Sequence, residues 1–95
     1  MFIISLNYKV SIKEVEQYLS DHVRYLEEQY SLGNFIASGR KVPRTGGVIL
    51  SNLKDRNLVE SIIAEDPFKI NAVADYEVIE FVPSMTSEEF EILKS

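Results

Sequence analysis

The side chain best suited to proton transfer in this 95-residue chain is its single histidine, His22. Imidazole is the only side chain whose ordinary pKa lies close to neutrality, so general acid–base chemistry would involve it first. The chain has no cysteine, which excludes thiol nucleophiles, disulfide scaffolds and zinc ribbons, and one histidine excludes multi-histidine metal centres. We therefore predict no metal, and nothing in the sequence implies an organic cofactor.

His22 falls within the strongest helical pattern of the sequence. Ser11 and Glu14 form a capping box, and apolar residues then recur at helical spacing until Gly33, which predicts one helix from about Ile12 to Leu32. The apolar stripe of this helix is centred on Leu19, Val23 and Leu26.

The position of His22 on this helix has two interpretations. His22 lies about 60° to one side of the stripe, because a helix turns about 100° per residue. Tyr25 projects from the same flank, a position suited to the wall of a pocket. The alternative is a boundary histidine bonded to a neighbour, the more frequent fate of a lone histidine, and spacing alone leaves both open.

A second chemical feature is Asp66-Pro67-Phe68, after the second predicted helix. Proline restricts the backbone of the residue before it, so it can hold the Asp66 carboxylate in one orientation to pair with an imidazole. The alternative is a purely structural one, because Asp-Pro is a common way to leave a helix and the carboxylate can bond nearby amides.

A third feature is Ser38-Gly39-Arg40 at the end of the second predicted strand. Gly39 permits close approach of a ligand, Ser38 offers a hydroxyl, and Arg40 can receive a carboxylate or phenolate oxygen. The alternative is that Gly39 marks a bulge and that the basic residues blunt an exposed sheet edge.

The elements that must position these residues alternate in a recognisable order. Besides the first helix, the periodicity and turn residues predict strands Phe2–Tyr8, Asn34–Val42, Gly46–Asn52 and Asp75–Val82, a helix from Asp55 to just before Pro67, and a C-terminal helix opened by a Thr86/Glu89 capping box. This order predicts an α+β, ferredoxin-like βαββαβ sandwich over residues 1–83, with an extra C-terminal helical extension over residues 84–95.

The net charge of −5 and the apolar pattern limit the partners of such a domain. The negative charge argues against nucleic acid, and the longest unbroken apolar run, Met1–Ile4, is too short for a membrane helix. No signal peptide is recognisable, so we expect a cytoplasmic protein with no membrane partner. Apolar residues such as Ile3 and Ile79 on the second face of the strands predict a homodimer that buries sheet against sheet.

These motifs together resemble the YCII-related family over about residues 1–83. The resemblance is carried by a His-x-x-Tyr-Leu helix, the Gly33–Gly39 segment, a strand beginning at Gly47, and Asp66-Pro67-Phe68, in that order. Many members have Gly-Pro where this chain has Gly39-Arg40, which alters the rim of the pocket.

The resemblance implies a dimeric α+β barrel with a pocket in which a His and an Asp are the working pair. Carried over to this chain, the pair is His22 and Asp66, and one similar protein dehalogenates a chlorinated hydroxyquinol. We therefore expect a small enzyme-like protein that performs general acid–base chemistry on a small aromatic or lactone-type molecule. Ser38, Gly39, Arg40, Tyr25 and Phe68 are the expected substrate-binding residues. The alternative is a non-catalytic module that binds a small ligand or assembles with a protein.

Overall fold

The computed structural model describes residues 1–94. These residues form a mixed α+β domain with the element order β1, α1, α2, β2, β3, α3, α4, β4 and a C-terminal 3₁₀ helix. Their bounds are β1 Phe2–Tyr8, α1 Ile12–Glu16, α2 Leu19–Ser31, β2 Ala37–Arg40, β3 Gly46–Ser51, α3 Arg56–Ile63, α4 Pro67–Ile70, β4 Ala74–Glu80 and the 3₁₀ helix Glu88–Leu93. The predicted ferredoxin-like order is confirmed, with each of its two helical regions divided into two segments. None of the helices within residues 1–94 has the length and apolar character that a membrane crossing requires.

The four strands form one antiparallel sheet in the order β2-β3-β1-β4. The central strand β1 pairs with β3 on one side and β4 on the other, so Ile4 lies opposite both Ile49 and Val78. Because strand side chains alternate between faces, this register places the even-numbered residues of β1 on one face with these partners. That face is the inner one, packed against the helices.

The core lies between this inner face and the helices. Phe2, Ile4 and Leu6 of β1 are almost fully buried, as their alternation with less apolar residues predicts. They belong to one buried cluster with helical side chains, namely Val15, Tyr25, Val59, Ile62, Ile63 and Phe68. A continuous core of this kind fixes the helices against β1 and β3, the strands that carry the floor of the site described below.

The first helical region differs from the prediction of one continuous helix. The amides of Gln17 and Tyr18 bond the carbonyls three residues earlier, which is the tighter 3₁₀ geometry, and a new helix begins at Leu19. The buried residues of α2 are His22, Tyr25 and Gln29. The predicted centre of the core stripe was wrong in phase, because Val23 is 41% exposed and lies beside an open cavity.

The end of α2 and the following hairpin have the predicted character. Gly33 adopts φ +77°, and the amide of Asn34 bonds the carbonyl of Gln29, an arrangement that closes the helix and favours glycine. Strands β2 and β3 then pair antiparallel, with Ser38 opposite Ile49. The pairing places Ser38 and Arg40 on the inner face of the sheet, toward the helices, because Ile49 belongs to the buried core.

The C-terminal region is helical, but not in the way the sequence predicts. The N-cap of the 3₁₀ helix is Ser87, which makes no side-chain capping bond, so the predicted Thr86/Glu89 capping box is wrong. The Thr86 Oγ1 atom is buried without a hydrogen-bond partner, so it accepts no hydrogen bond from the amides it would cap. Several apolar side chains of this region are largely exposed, including Met85 and Ile92.

We predict that Gly46→Ala destabilises the domain by about 2 kcal/mol or more, because the added Cβ would overlap the carbonyl oxygen of Leu6 on the neighbouring strand. Gly39→Ala is the matched control, because nothing lies within 4 Å of its added Cβ. Urea denaturation measures both free energies of unfolding. Equal stability of the two variants would contradict the close approach of β1 and β3.

Candidate functional site

His22 and Asp66 meet although they lie 44 residues apart in the chain. The Nδ1 atom of His22 is 2.7 Å from Oδ1 of Asp66, and the two residues are 8% and 0% exposed. His22 comes from the second turn of α2, while Asp66 is the N-cap of α4. The predicted proximity of imidazole and carboxylate is thus present in the structure.

The Asp-Pro-Phe motif explains how the carboxylate is held. Asp66 has extended backbone angles, Pro67 occupies the first helical position where its missing N–H costs nothing, and the Asp66 carboxylate accepts the amide of Phe68 at 2.9 Å. From the sequence, helix capping and histidine pairing are alternative roles for this carboxylate. The structure has both, because one carboxylate oxygen accepts the Phe68 amide and the imidazole together.

Tyr76 supplies a third hydrogen bond to the same carboxylate. Its hydroxyl donates to Oδ2 of Asp66 at 2.5 Å from strand β4. The sequence analysis did not assign Tyr76 to the site. The alternation of β4 predicts that Tyr76 lies on the inner face of the sheet. Its contact with Asp66 is not predictable in this way, because it depends on how α4 packs against β4.

The plane of the imidazole is fixed by an aromatic neighbour. The rings of His22 and Phe68 stack with their centroids 3.9 Å apart and their planes within 5° of each other. Phe68 is itself 2% exposed, so it cannot move aside without disturbing the core. Phe68 therefore contacts the face of the His22 ring, and Asp66 bonds its Nδ1 atom.

This arrangement determines which ring nitrogen is open to a ligand. A carboxylate only accepts hydrogen bonds, so the His22 Nδ1 carries the hydrogen that Asp66 receives. In the neutral ring the Nε2 atom is then an acceptor. Nε2 has no hydrogen-bond partner among residues 1–94 and is not one of their buried unpartnered atoms, so it is accessible from the cavity that His22 lines.

That cavity has a volume of about 420 Å³ and lies between α2 and the inner face of the sheet, within the size range of small-molecule sites. Most of its lining is apolar. The apolar side chains are Leu6, Leu19, Val23, Leu26, Ile49 and Phe68. The predicted core stripe of the first helix thus forms much of the wall of a ligand-sized cavity.

Of the remaining predicted site residues, three line the cavity and Tyr25 does not. Ser38, Gly39 and Arg40 line the cavity with His22, and the Ser38 hydroxyl is 2.6 Å from the hydroxyl of Tyr30. Tyr25 does not line it. The Tyr25 hydroxyl instead donates to the carbonyl of Ile62 at 2.8 Å, which ties α2 to α3 within the core.

Two tyrosines near Asp66 are held in their neutral form. Burial raises the pKa of Tyr76 far above its ordinary value, and the charge of Asp66 and the hydrogen bond to it raise this pKa further. Burial, then the charges of Asp66 and Glu65, likewise raise the pKa of Tyr25. The Tyr76 hydroxyl therefore stays protonated at ordinary pH and acts as a hydrogen-bond donor to Asp66.

The chemistry available here is proton transfer at His22 Nε2, with Asp66 behind the ring to stabilise an imidazolium. This is the geometry of an oriented general base. No group of three or more His, Asp or Glu side chains within the described residues is arranged to hold a metal ion.

Comparison with known proteins connects this geometry to a family. The sequence model described as "YCII-related domain" matches residues 1–82, which include the whole sheet and the His22–Asp66 pair. The curated proteins contain no match to the sequence.

Solved structures include one with a closely similar fold. It is the 5-chloro-2-hydroxyhydroquinone dehydrochlorinase of Burkholderia phenoliruptrix AC1100, in complex with 2,5-dihydroxybenzoquinone. The TM-score is 0.72 at 18% sequence identity, and the alignment covers 84% of this chain and 91% of the other. At this identity the likeness establishes the fold.

We predict that Tyr25 and Tyr76 ionise only when the protein unfolds at alkaline pH. The pKa values of both tyrosines in the folded protein lie above the ordinary value of about 10. The neutral tyrosines therefore stabilise the fold fully below that pH, and their contribution to the free energy of unfolding is lost as the pH rises further. Tyrosinate absorbance followed during alkaline titration measures this. Tyr76→Phe and Tyr25→Phe should each remove one tyrosinate from the absorbance increase that accompanies unfolding, and an unchanged increase in either variant would contradict the prediction.

Proposed function

The chain belongs to the YCII-related family, and we propose that it is a small enzyme that performs general acid–base chemistry on a small aromatic or lactone-type molecule. His22 is the proposed general base and acid, and Asp66 the residue that orients it. The observation that carries this proposal is the 2.7 Å contact between His22 and Asp66 on the wall of a ligand-sized cavity.

The proposed proton transfer uses both ring nitrogens. Nε2 of His22 takes a proton from a carbon or hydroxyl of the substrate, while Nδ1–H remains bonded to Asp66. In an isomerisation the proton returns to another substrate atom, and in an elimination of HCl it passes to water as chloride departs. The positive charge that forms on the ring is then stabilised by an adjacent buried carboxylate. A positioned base of this kind contributes typically about 10²–10⁴-fold to a rate.

A proton removed beside a carbonyl or phenol leaves negative charge on oxygen, which needs a donor. The Ser38 hydroxyl is the proposed donor, because it lines the cavity and its hydrogen-bond partner Tyr30 keeps it oriented. Arg40 also lines the cavity. Phe68 supports the site through its stacking on His22 and through the apolar surface that it presents to a ligand.

The solved relative supports the aromatic substrate class. Its name describes the removal of hydrogen chloride from a chlorinated hydroquinone, which requires loss of a proton and of chloride.

The rival function, binding without turnover, would use the same cavity. Arguing for catalysis is the pairing of His22 with a carboxylate that holds Nε2 open, since a ligand-binding cavity needs no such pair.

We also propose that two copies pack through the outer faces of their sheets. This face carries a row of apolar side chains, Ile3, Val48, Leu50 and Ile79. Ile79 is 45% exposed in the single chain, and contiguous apolar patches of this kind mark interaction surfaces. Because the His22 cavity lies on the other face, such a dimer leaves it open.

We expect His22→Asn to lower turnover by about 10²-fold or more while leaving the fold intact. The asparagine amide can replace Nδ1–H as donor to Asp66, but it places no base where Nε2 lies. Chloride release from 5-chloro-2-hydroxyhydroquinone and isomerisation of an unsaturated lactone are the two assays.

Thermal unfolding of His22→Asn is the control, because a melting temperature close to that of the wild type shows that a lost activity is chemical in origin. Turnover by the variant at the wild-type rate would refute a catalytic His22. Tight binding of these compounds by the wild type with no turnover would favour the binding module.

For the dimer we predict a mass of about twice the 10.9 kDa of one chain by light scattering at micromolar concentration. Ile79→Glu on the outer face should shift the protein to the monomer. Leu58→Glu on α3 is the matched control, because Leu58 is equally exposed, at 44%, and lies among the helices of the other face. A wild-type monomer, or dissociation by both variants alike, would contradict this interface.

A further inference from the structure

We propose that the ligand of the His22 cavity is a carboxylate with a compact apolar body, and that Arg40 binds its carboxylate group. This inference rests on the proposed function, since it names the substrate class of the same site. It follows from how the fold separates the three basic residues of the β2–β3 hairpin, Arg40, Lys41 and Arg44.

The first step is the direction of the basic side chains. Arg40 lies opposite Gly47 on the inner face, and both Arg40 and Arg44 line the cavity. Lys41 is the next residue along the chain and lies on the opposite face, where its Nζ donates to Ser5 Oγ at 2.8 Å and to Asn7 Oδ1 at 2.7 Å. The hairpin is therefore not a uniformly charged tip, because two of its three basic residues line one cavity and the third lies on the other face of the sheet.

The second step is which cation is available. Arg44 is paired with Glu16 at 3.3 Å. Arg40 makes no salt bridge and no side-chain hydrogen bond with any of residues 1–94, and none of their Asp or Glu residues lines the cavity. A guanidinium binds a carboxylate through two parallel hydrogen bonds, so Arg40 is fitted to a planar anion.

The third step is the body of the ligand. The cavity wall between Arg40 on β2 and His22 on α2 consists mainly of leucine, valine, isoleucine and phenylalanine side chains. Such a wall favours an apolar body by removing it from water, and offers nothing to a second charged group. A ligand whose carboxylate is held at Arg40 thus has its apolar part within the cavity that Nε2 of His22 faces.

The chemical class also fits the charge of the whole chain. At a net charge of −5 the protein repels anions over most of its surface, so an anionic ligand needs a local positive potential. The lining of the cavity has no acidic residue and includes Arg40, which provides such a potential. A neutral ligand of the same shape would gain less from Arg40, because it lacks the charge that strengthens the hydrogen bonds, and this difference is what a binding experiment can measure.

The test compares three probes by isothermal titration calorimetry of the untagged protein. Benzoate has the carboxylate and the apolar body, benzamide keeps the body without the charge, and acetate keeps the charge without the body. We expect benzoate to bind at least about tenfold more tightly than either. Arg40→Gln should reduce the affinity for benzoate to that for benzamide.

Lys41→Gln is the matched control, because it removes the same charge from the adjacent residue on the opposite face of the sheet. It should leave the affinity for benzoate within about twofold. Equal affinity for benzoate and benzamide, equal affinity for benzoate and acetate, equal losses in Arg40→Gln and Lys41→Gln, or no benzoate binding at millimolar concentration would each overturn the proposal.

The same titration separates this inference from the proposed catalysis. Arg40-dependent benzoate binding in a protein without turnover would refute the enzyme and leave the carboxylate site. Turnover of neutral substrates without benzoate binding would refute the carboxylate site and leave the enzyme.

Discussion

The fully buried carboxylate of Asp66 is the constraint around which the site is built. A buried charge is tolerated only when hydrogen bonds compensate for the water it has lost. Here the compensation comes from three elements at once: the Phe68 amide of α4, the Tyr76 hydroxyl of β4 and the His22 imidazole of α2. Removing any one of them leaves the carboxylate less satisfied, so the fold and the candidate site depend on the same contacts.

As a consequence, helix α2 contacts both the protein core and an open cavity. One flank enters the core through His22, Tyr25 and Gln29, while the neighbouring apolar side chains form the wall of an open cavity. Because His22 lies where the two meet, one edge of its ring is bonded to the interior and the other is accessible to a ligand. A single helix thus anchors the imidazole in the core and presents the proposed reactive atom to the cavity, a combination that favours catalysis.

The fold was largely predictable because its signals are local. The alternation in Phe2–Tyr8, the capping box at Ser11 and the left-handed Gly33 each depend on neighbouring residues, and their order defines the βαββαβ pattern. The His22–Asp66 pair was predictable from motif order together with family resemblance. Tyr76 was not, since its bond to Asp66 depends on packing between α4 and β4. The phase of α2 was missed because the tight turn at Gln17 and Tyr18 and the cavity beside Val23 leave no periodic signal.

The central claim is that Asp66 fixes His22 with the hydrogen on Nδ1 and with Nε2 open. Long-range proton–nitrogen NMR of the histidine-labelled, untagged protein tests it most directly, because the chain has one histidine and the spectrum contains one ring. The account predicts that the neutral form of the ring carries its hydrogen on Nδ1, and that this preference is lost in Asp66→Ala, which removes the acceptor. A ring protonated at Nε2 in the wild type, or one with the same tautomer mixture in both proteins, would contradict it.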